Sequence, residues 1–115
     1  RLRELHELTN ELGMTALVEV HTADEARRAV DLGAELIGVN NRNLKTLEVD
    51  LSTFERISAE LPDDLVKVAE SGIKTPADAA RVSAAGADAI LVGEALVTDA
   101  NPTAAIAAMV AAGSL

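Results

Sequence analysis

Four apolar segments each carry a polar or side-chain-free residue late in their length: Leu17-Val18-Glu19-Val20-His21, Leu36-Ile37-Gly38-Val39-Asn40, Val66-Lys67-Val68-Ala69-Glu70 and Ala89-Ile90-Leu91-Val92-Gly93. If each is a strand, alternate residues share a face, and the parity turns Glu19, Asn40, Glu70 and Gly93 to one side. Parallel α/β proteins bind ligands at the carboxyl ends of their strands, so these four converge on one pocket. Carboxylates in such a pocket exchange protons with a ligand when their surroundings tune the pKa. An unpaired carboxylate is costly to bury, so Glu70 at the end of an apolar run calls for a reason beyond packing. The plainer alternative is loop capping by the carboxylates and turn chemistry by the asparagine.

Gly72, just past the third segment, and Gly93, closing the fourth, let backbone N–H groups approach an anion. Turn geometry accounts equally for either glycine alone; the pair after successive strands points to phosphate, which barrels often hold in the loops after their last two strands. Arg42, in the run "NNRNLKTLEVD", is placed to clamp a phosphate or carboxylate, with Lys45 and Lys74 as alternatives, though each is also an ordinary surface charge. Lys67 has the opposite parity and reads as a snorkelling side chain. His6 and His21 lack the i, i+4 spacing of a helical metal pair, and no metal site is assigned. Walker, GxGxxG and Ser-His-Asp motifs are absent.

The elements that position these residues are punctuated clearly. Leu2, Leu5, Leu8 and Leu12 recur at helical spacing before Gly13. A strand is expected over 15–21, and Thr22 with Glu25 forms a capping box for a helix from Asp24 to Leu32, stopped at Gly33. The pattern repeats: a strand over 34–40, then a helix from Leu51 to about Glu60 capped by Asp50 and blocked by Pro62. A third strand covers 65–70, and Thr75-Pro76 opens a helix ending near Gly86. A fourth strand covers 88–94, and Asn101-Pro102 opens a last helix to about Gly113. Four strands alternating with five helices predict a parallel sheet covered by helices, either open or part of a (β/α)₈ barrel, in a single unit over 1–115.

The composition narrows the partners. The 115 residues are 49% hydrophobic and 25% charged, enough for one domain with a real core. A net charge of −9 repels polyanions, and 1% aromatic content removes the stacking platforms of single-strand binders, so no nucleic-acid partner is expected. The longest apolar stretch, 104–112, is too short to cross a bilayer, so no membrane partner is expected. Without cysteine there is no disulfide framework, and the cytoplasm is the expected compartment. The chain opens at Arg1 within a helical pattern, which reads as a piece of a longer protein.

The motifs "LVEVH" (17–21), "IGVNNRNLKTLEVD" (37–50), "VKVAESGI" (66–73) and "ADAILVGEAL" (87–96), in that order, resemble the indole-3-glycerol phosphate synthase family. The resemblance implies a partial (β/α)₈ TIM barrel, strands five to eight. It also implies a phosphorylated small-molecule substrate, 1-(2-carboxyphenylamino)-1-deoxyribulose 5-phosphate, closed with loss of carbon dioxide and water to indole-3-glycerol phosphate in tryptophan biosynthesis. No cofactor is implied. By motif, Glu19 is similar to the family's acid/base carboxylate and Asn40 to its substrate-positioning amide. Glu70 and Ser71 match its substrate-contacting pair, with Arg42 beside them, and Gly72 and Gly93 its phosphate-binding backbone. Glu94 stands where many members carry Ser, its backbone N–H still able to donate.

The family's lysine general acid lies on earlier strands, so the isolated chain is expected to be inactive. A full barrel needs about 200 residues, and four strands leave two open edges. The expected partner is therefore the missing amino-terminal half or a second copy of this chain. A non-catalytic self-assembling half-barrel and another phosphate-binding barrel enzyme are the alternatives.

Overall fold

The computed structural model describes residues 1–114; Leu115, the last residue of the unit expected over 1–115, lies outside them. Strands β1 (Val18–Val20), β2 (Leu36–Asn40), β3 (Val66–Glu70) and β4 (Ala89–Leu91) form one parallel sheet in sequential order. Around them run α1 (Leu2–Glu11), α2 (Ala23–Asp31), α3 (Ser52–Ser58), α4 (Pro76–Ala84), α5 (Glu94–Val97) and α6 (Pro102–Gly113). Sequential parallel order with a helix in every crossover is the arrangement of one side of a (β/α) barrel.

One face of the sheet carries the core. Val20, Ile37, Val39 and Ala69 point at the helices and pack with Ala26, Ala29, Phe54, Ile57, Ala79 and Val82, all nearly inaccessible. Lys67 shares that parity and is buried, its ammonium 3.8 Å from the exposed Asp63 carboxylate. The opposite face is open. Leu17, Val66 and Leu91 on it are 42%, 45% and 50% exposed, and so is the stripe Leu2, Leu5, Leu8 and Leu12 of α1 and its C-cap, at 50–64%.

Several boundaries depart from the sequence reading; β2, expected from 34, begins at Leu36. β1, expected over 15–21, covers only Val18–Val20, because it pairs on one side alone and only with Ile37, Gly38 and Val39. β4, expected to run to 94, ends at Leu91, and a sixth helix begins at Glu94: the Gly93 carbonyl accepts from the N–H groups of Leu96 and Val97. The helix expected to be capped by Asp50 opens at Ser52, where Asp50 Oδ1 accepts from the Ser52 N–H at 2.9 Å and its hydroxyl at 2.7 Å.

The caps follow the sequence more closely at α4 than at α2. Thr75 and Asp78 close a reciprocal capping box. Thr22 accepts from the Glu25 N–H, but the Glu25 carboxylate reaches back one residue further, to the N–H of His21 at 3.1 Å.

Candidate functional site

Strand register builds the site. Glu19, Gly38, Val68 and Ala89 lie side by side across the sheet, and Asn40, Glu70 and Leu91 form the next row of the same face. The parity read from the sequence therefore holds for the residues within the four strands, Glu19, Asn40 and Glu70 among them, while Gly93 lies beyond β4.

Within that rim, Asn40 Nδ2 donates to Glu19 Oε1 at 2.8 Å, while Asn40 Oδ1 accepts from the Arg42 N–H at 2.9 Å. The amide is thus held at both ends, and Glu19 is fixed from β2. His21 Nε2 approaches Glu19 Oε1 at 3.2 Å, not aligned as a hydrogen bond, and its Nδ1 lies 3.6 Å from Glu25 Oε1. A protonated ring would sit between two carboxylates; a neutral one places a weak dipole there.

Glu70 is buried, and its Oε2 has no hydrogen-bond partner among the described residues. Its side chain leans back from its lateral neighbour Asn40 over Gly38: a Cβ at Gly38 would stand 1.9 Å from Oε2 and 2.9 Å from Cδ. Burial, and then the Glu19 charge, push the Glu70 carboxyl above its ordinary range, with His21 opposing. A carboxyl in that condition holds its proton more readily and serves as a hydrogen-bond donor or general acid.

Past β3 the backbone turns left-handed at two successive residues, Ser71 (φ 69°) and Gly72 (φ 79°). Gly72 has a local reason to be glycine, since a Cβ there would meet Val49 Cγ1 at 2.1 Å. Ser71 has no such freedom and is held from outside. Asn41, buried, donates from Nδ2 to the Ser71 carbonyl at 3.1 Å, and its Oδ1 accepts from the Phe54 N–H at 3.0 Å. Sequence reasoning passed over Asn41. The available signal was its parity: a polar residue directly after β2 that continues the helix-facing alternation must find buried partners.

Arg42, Glu70, Ser71, Gly72, Gly93 and Glu94 line one cleft of about 700 Å³, and Lys74 joins them. Lys45 faces a neighbouring cleft instead. Gly93 differs from Gly72: nothing lies within 4 Å of where its Cβ would be, so the space beside it opens into the cleft. The Glu94 side chain is 78% exposed at the mouth, with Oε2 4.0 Å from Arg42 Nη2, and Arg42 Nη1 also donates to the Leu47 carbonyl at 3.2 Å. Asn40 stands one strand and Glu19 two strands away from the strands of this cleft, linked to it through Arg42. The structure thus brings the expected residues together in two adjoining groups.

Four sequential parallel strands with a polar rim at their carboxyl ends define one side of a (β/α)₈ barrel. Solved structures agree on the fold: the BexX/CysO complex of Amycolatopsis orientalis superposes with a TM-score of 0.77 at 24% identity, over 97% of this chain and 45% of that one. (S)-3-O-geranylgeranylglyceryl phosphate synthase from Thermoplasma acidophilum, in complex with sn-glycerol-1-phosphate, gives 0.63 at 26% identity, over 78% and 36%.

The indole-3-glycerol phosphate synthase family model matches residues 1–109. Curated indole-3-glycerol phosphate synthases of Streptomyces griseus and Rhodococcus opacus are 58% and 56% identical over 113 residues, 98% of this chain and 42% of theirs. The chain belongs to the indole-3-glycerol phosphate synthase family, and it spans less than half the length of these relatives.

Proposed function

We propose that the chain supplies the carboxyl-terminal side of an indole-3-glycerol phosphate synthase active site. The observation that carries the reading is the pairing of two unlike carboxyl groups on one rim. Glu19 is hydrogen-bonded and open to solvent, whereas Glu70 is buried with its Oε2 unpartnered among the described residues. Burial strengthens the hold of Glu70 on its proton, so the two carboxyl groups are suited to different parts in handling the substrate.

The proposed substrate is 1-(2-carboxyphenylamino)-1-deoxyribulose 5-phosphate. Its ring carbon bearing the carboxylate attacks the ketone carbon, the new bond forms, and the ketone oxygen takes a proton to become a hydroxyl. Carbon dioxide then leaves and the benzene ring recovers its aromaticity. Finally the hydroxyl departs as water while the neighbouring carbon loses a proton, giving the indole double bond. The general acid of the missing half protonates the ketone oxygen; Glu19, held in place by Asn40, handles the later proton exchange at the hydroxyl and the neighbouring carbon, and Glu70 hydrogen-bonds the sugar portion. The phosphate docks in the cleft between Gly72 and Gly93, with Arg42 as counter-charge and Ser71 contacting substrate, which fixes the reacting atoms near one another. Glu94 contributes its N–H, its carboxylate staying at the mouth.

The open face and the two edge strands call for a complementary half-barrel. Exposed Leu17, Val66 and Leu91 line what would be the barrel interior, and the leucines of α1 and its C-cap are exposed as well. A net charge of −9 disfavours a second copy of this chain as that partner, since two copies would repel. The relatives are more than twice as long, and this reading assigns barrel closure and the general acid to the part that this chain does not span. The reaction would run in the cytoplasm.

The test mixes the purified chain with the separately produced first four strands of the Streptomyces griseus relative and follows indole fluorescence. The chain itself has no Trp or Tyr to obscure the signal. No turnover by the chain alone, turnover on mixing, and a loss of about 10²-fold or more in Glu19→Gln are expected. Association of the halves, shown by sedimentation, without turnover would overturn the reading and leave a non-catalytic half-barrel.

A further inference from the structure

Glycine in a strand interior weakens the strand unless backbone or ligand must come close. Gly38 is the third of five residues in β2, between Glu19 of β1 and Val68 of β3. Its φ is not left-handed, so no turn requires it. What occupies the missing side chain's volume is the Glu70 carboxyl, with Oε2 1.9 Å and Cδ 2.9 Å from the position of a Cβ; Leu17 Cδ1, at 3.2 Å, is a flexible and partly exposed neighbour.

We propose that Gly38 is a positioning residue of the active site: its missing side chain forms the seat that lets the Glu70 carboxyl fold back across β2 beside Glu19. Any side chain at 38 drives that carboxyl out of the row shared with Glu19 and toward the cleft mouth, separating the two groups. The proposal rests on Glu70 acting on substrate, but the seat itself is read without turnover, so its failure and the failure of the catalytic reading are distinct results.

The experiment uses the 115-residue chain with ¹³C-labelled glutamate. The carboxyl resonance of Glu70 is assigned by its disappearance in Glu70→Gln and titrated in the parent and in Gly38→Ala. The expected result is a Glu70 midpoint above those of the surface glutamates in the parent and a shift down toward them in Gly38→Ala, as the carboxyl leaves its seat for solvent. An unchanged midpoint in a folded Gly38→Ala would overturn the proposal. A general packing defect at 38 would not move one titration selectively.

A stability cycle covers the case in which Gly38→Ala fails to fold. In the Glu70→Ala background the two closest contacts no longer exist, so adding Gly38→Ala should cost little in urea midpoint or restore folding. An equal loss in both backgrounds, or an unfolded double variant, would show that Gly38 answers to something other than Glu70.

Discussion

Asn41→Ala should be among the more damaging substitutions outside the apolar core, although it removes only one small amide. The side chain bridges three segments: the end of β2, the first turns of α3 through the Phe54 N–H, and the left-handed Ser71 through its carbonyl. Phe54 is fully buried, so its N–H would find no water, and an orphaned buried donor costs about 1–3 kcal/mol. Loss of the bond to Ser71 adds about 1 kcal/mol. The backbone bonds of Asn41, from its N–H to the Glu70 carbonyl and to its carbonyl from the Asp50 N–H, survive the change. The expected loss is thus about 2–4 kcal/mol, a large share of the 5–15 kcal/mol typical of a whole domain.

Urea unfolding followed by far-UV circular dichroism measures it, since one Phe and no Trp or Tyr leave little fluorescence to follow. Asn43→Ala is the control. Asn43 is exposed, and its Oδ1 accepts from the Lys45 and Thr46 N–H groups, which water can serve instead. It should cost less than about 1 kcal/mol. A loss in Asn41→Ala no larger than in Asn43→Ala would refute the claim that the amide carries the junction.

Glu70→Gln should stabilise the chain in a pH-dependent way. Burial raises the folded pKa of Glu70 above its ordinary 4.5, so the stability linked to the group is fully present below about pH 4.5 and lost as pH rises through the folded value. The variant should therefore exceed the parent in urea midpoint at pH 8 and match it near pH 4; a constant difference would contradict the burial. Lys67→Met exchanges a buried ammonium for an apolar tip while its partner Asp63 stays in water, so stability should be unchanged or higher by about 1 kcal/mol, whereas Lys67→Ala, losing the packed stem, should cost about 2 kcal/mol or more in the same assay. Glu94→Gln frees Arg42 from a partly solvated counter-charge, and calorimetry should show inorganic phosphate binding about two- to fivefold tighter, in line with ~0.5–1 kcal/mol per exposed pair; weaker binding would mean the carboxylate helps to hold the anion.

Much of this was legible from the chain because strands have a period of two and a slip of one residue would have reversed every face. The alternation in β2 and β3 is long enough to fix parity, and β1 and β4 inherit it through their register with them. Helix starts were legible where a cap and a proline coincide, as at Thr75-Pro76 and Asn101-Pro102. The four-residue α5 was not. It has no side-chain cap, and Val92 and Gly93 before it continue the apolar run of β4, so composition alone extends the strand to Glu94.

Side-chain contacts across strands were the illegible part. Asn40 and Glu19 are 21 residues apart, and only the lateral register makes them a pair. The same holds for Gly38 and Glu70, each of which looks unfavourable alone: a glycine that weakens a strand and a carboxylate that resists burial. Register places Glu70 beside Asn40, and the tilt of the side chain brings its carboxyl over the residue two positions earlier on that strand. The glycine then supplies the space that the carboxyl fills, and burial there raises the carboxyl's hold on its proton while Glu19, hydrogen-bonded one strand away, stays open to solvent. Two residues that oppose stability separately thus produce, together, the inequality between carboxyl groups on which the proposed chemistry depends.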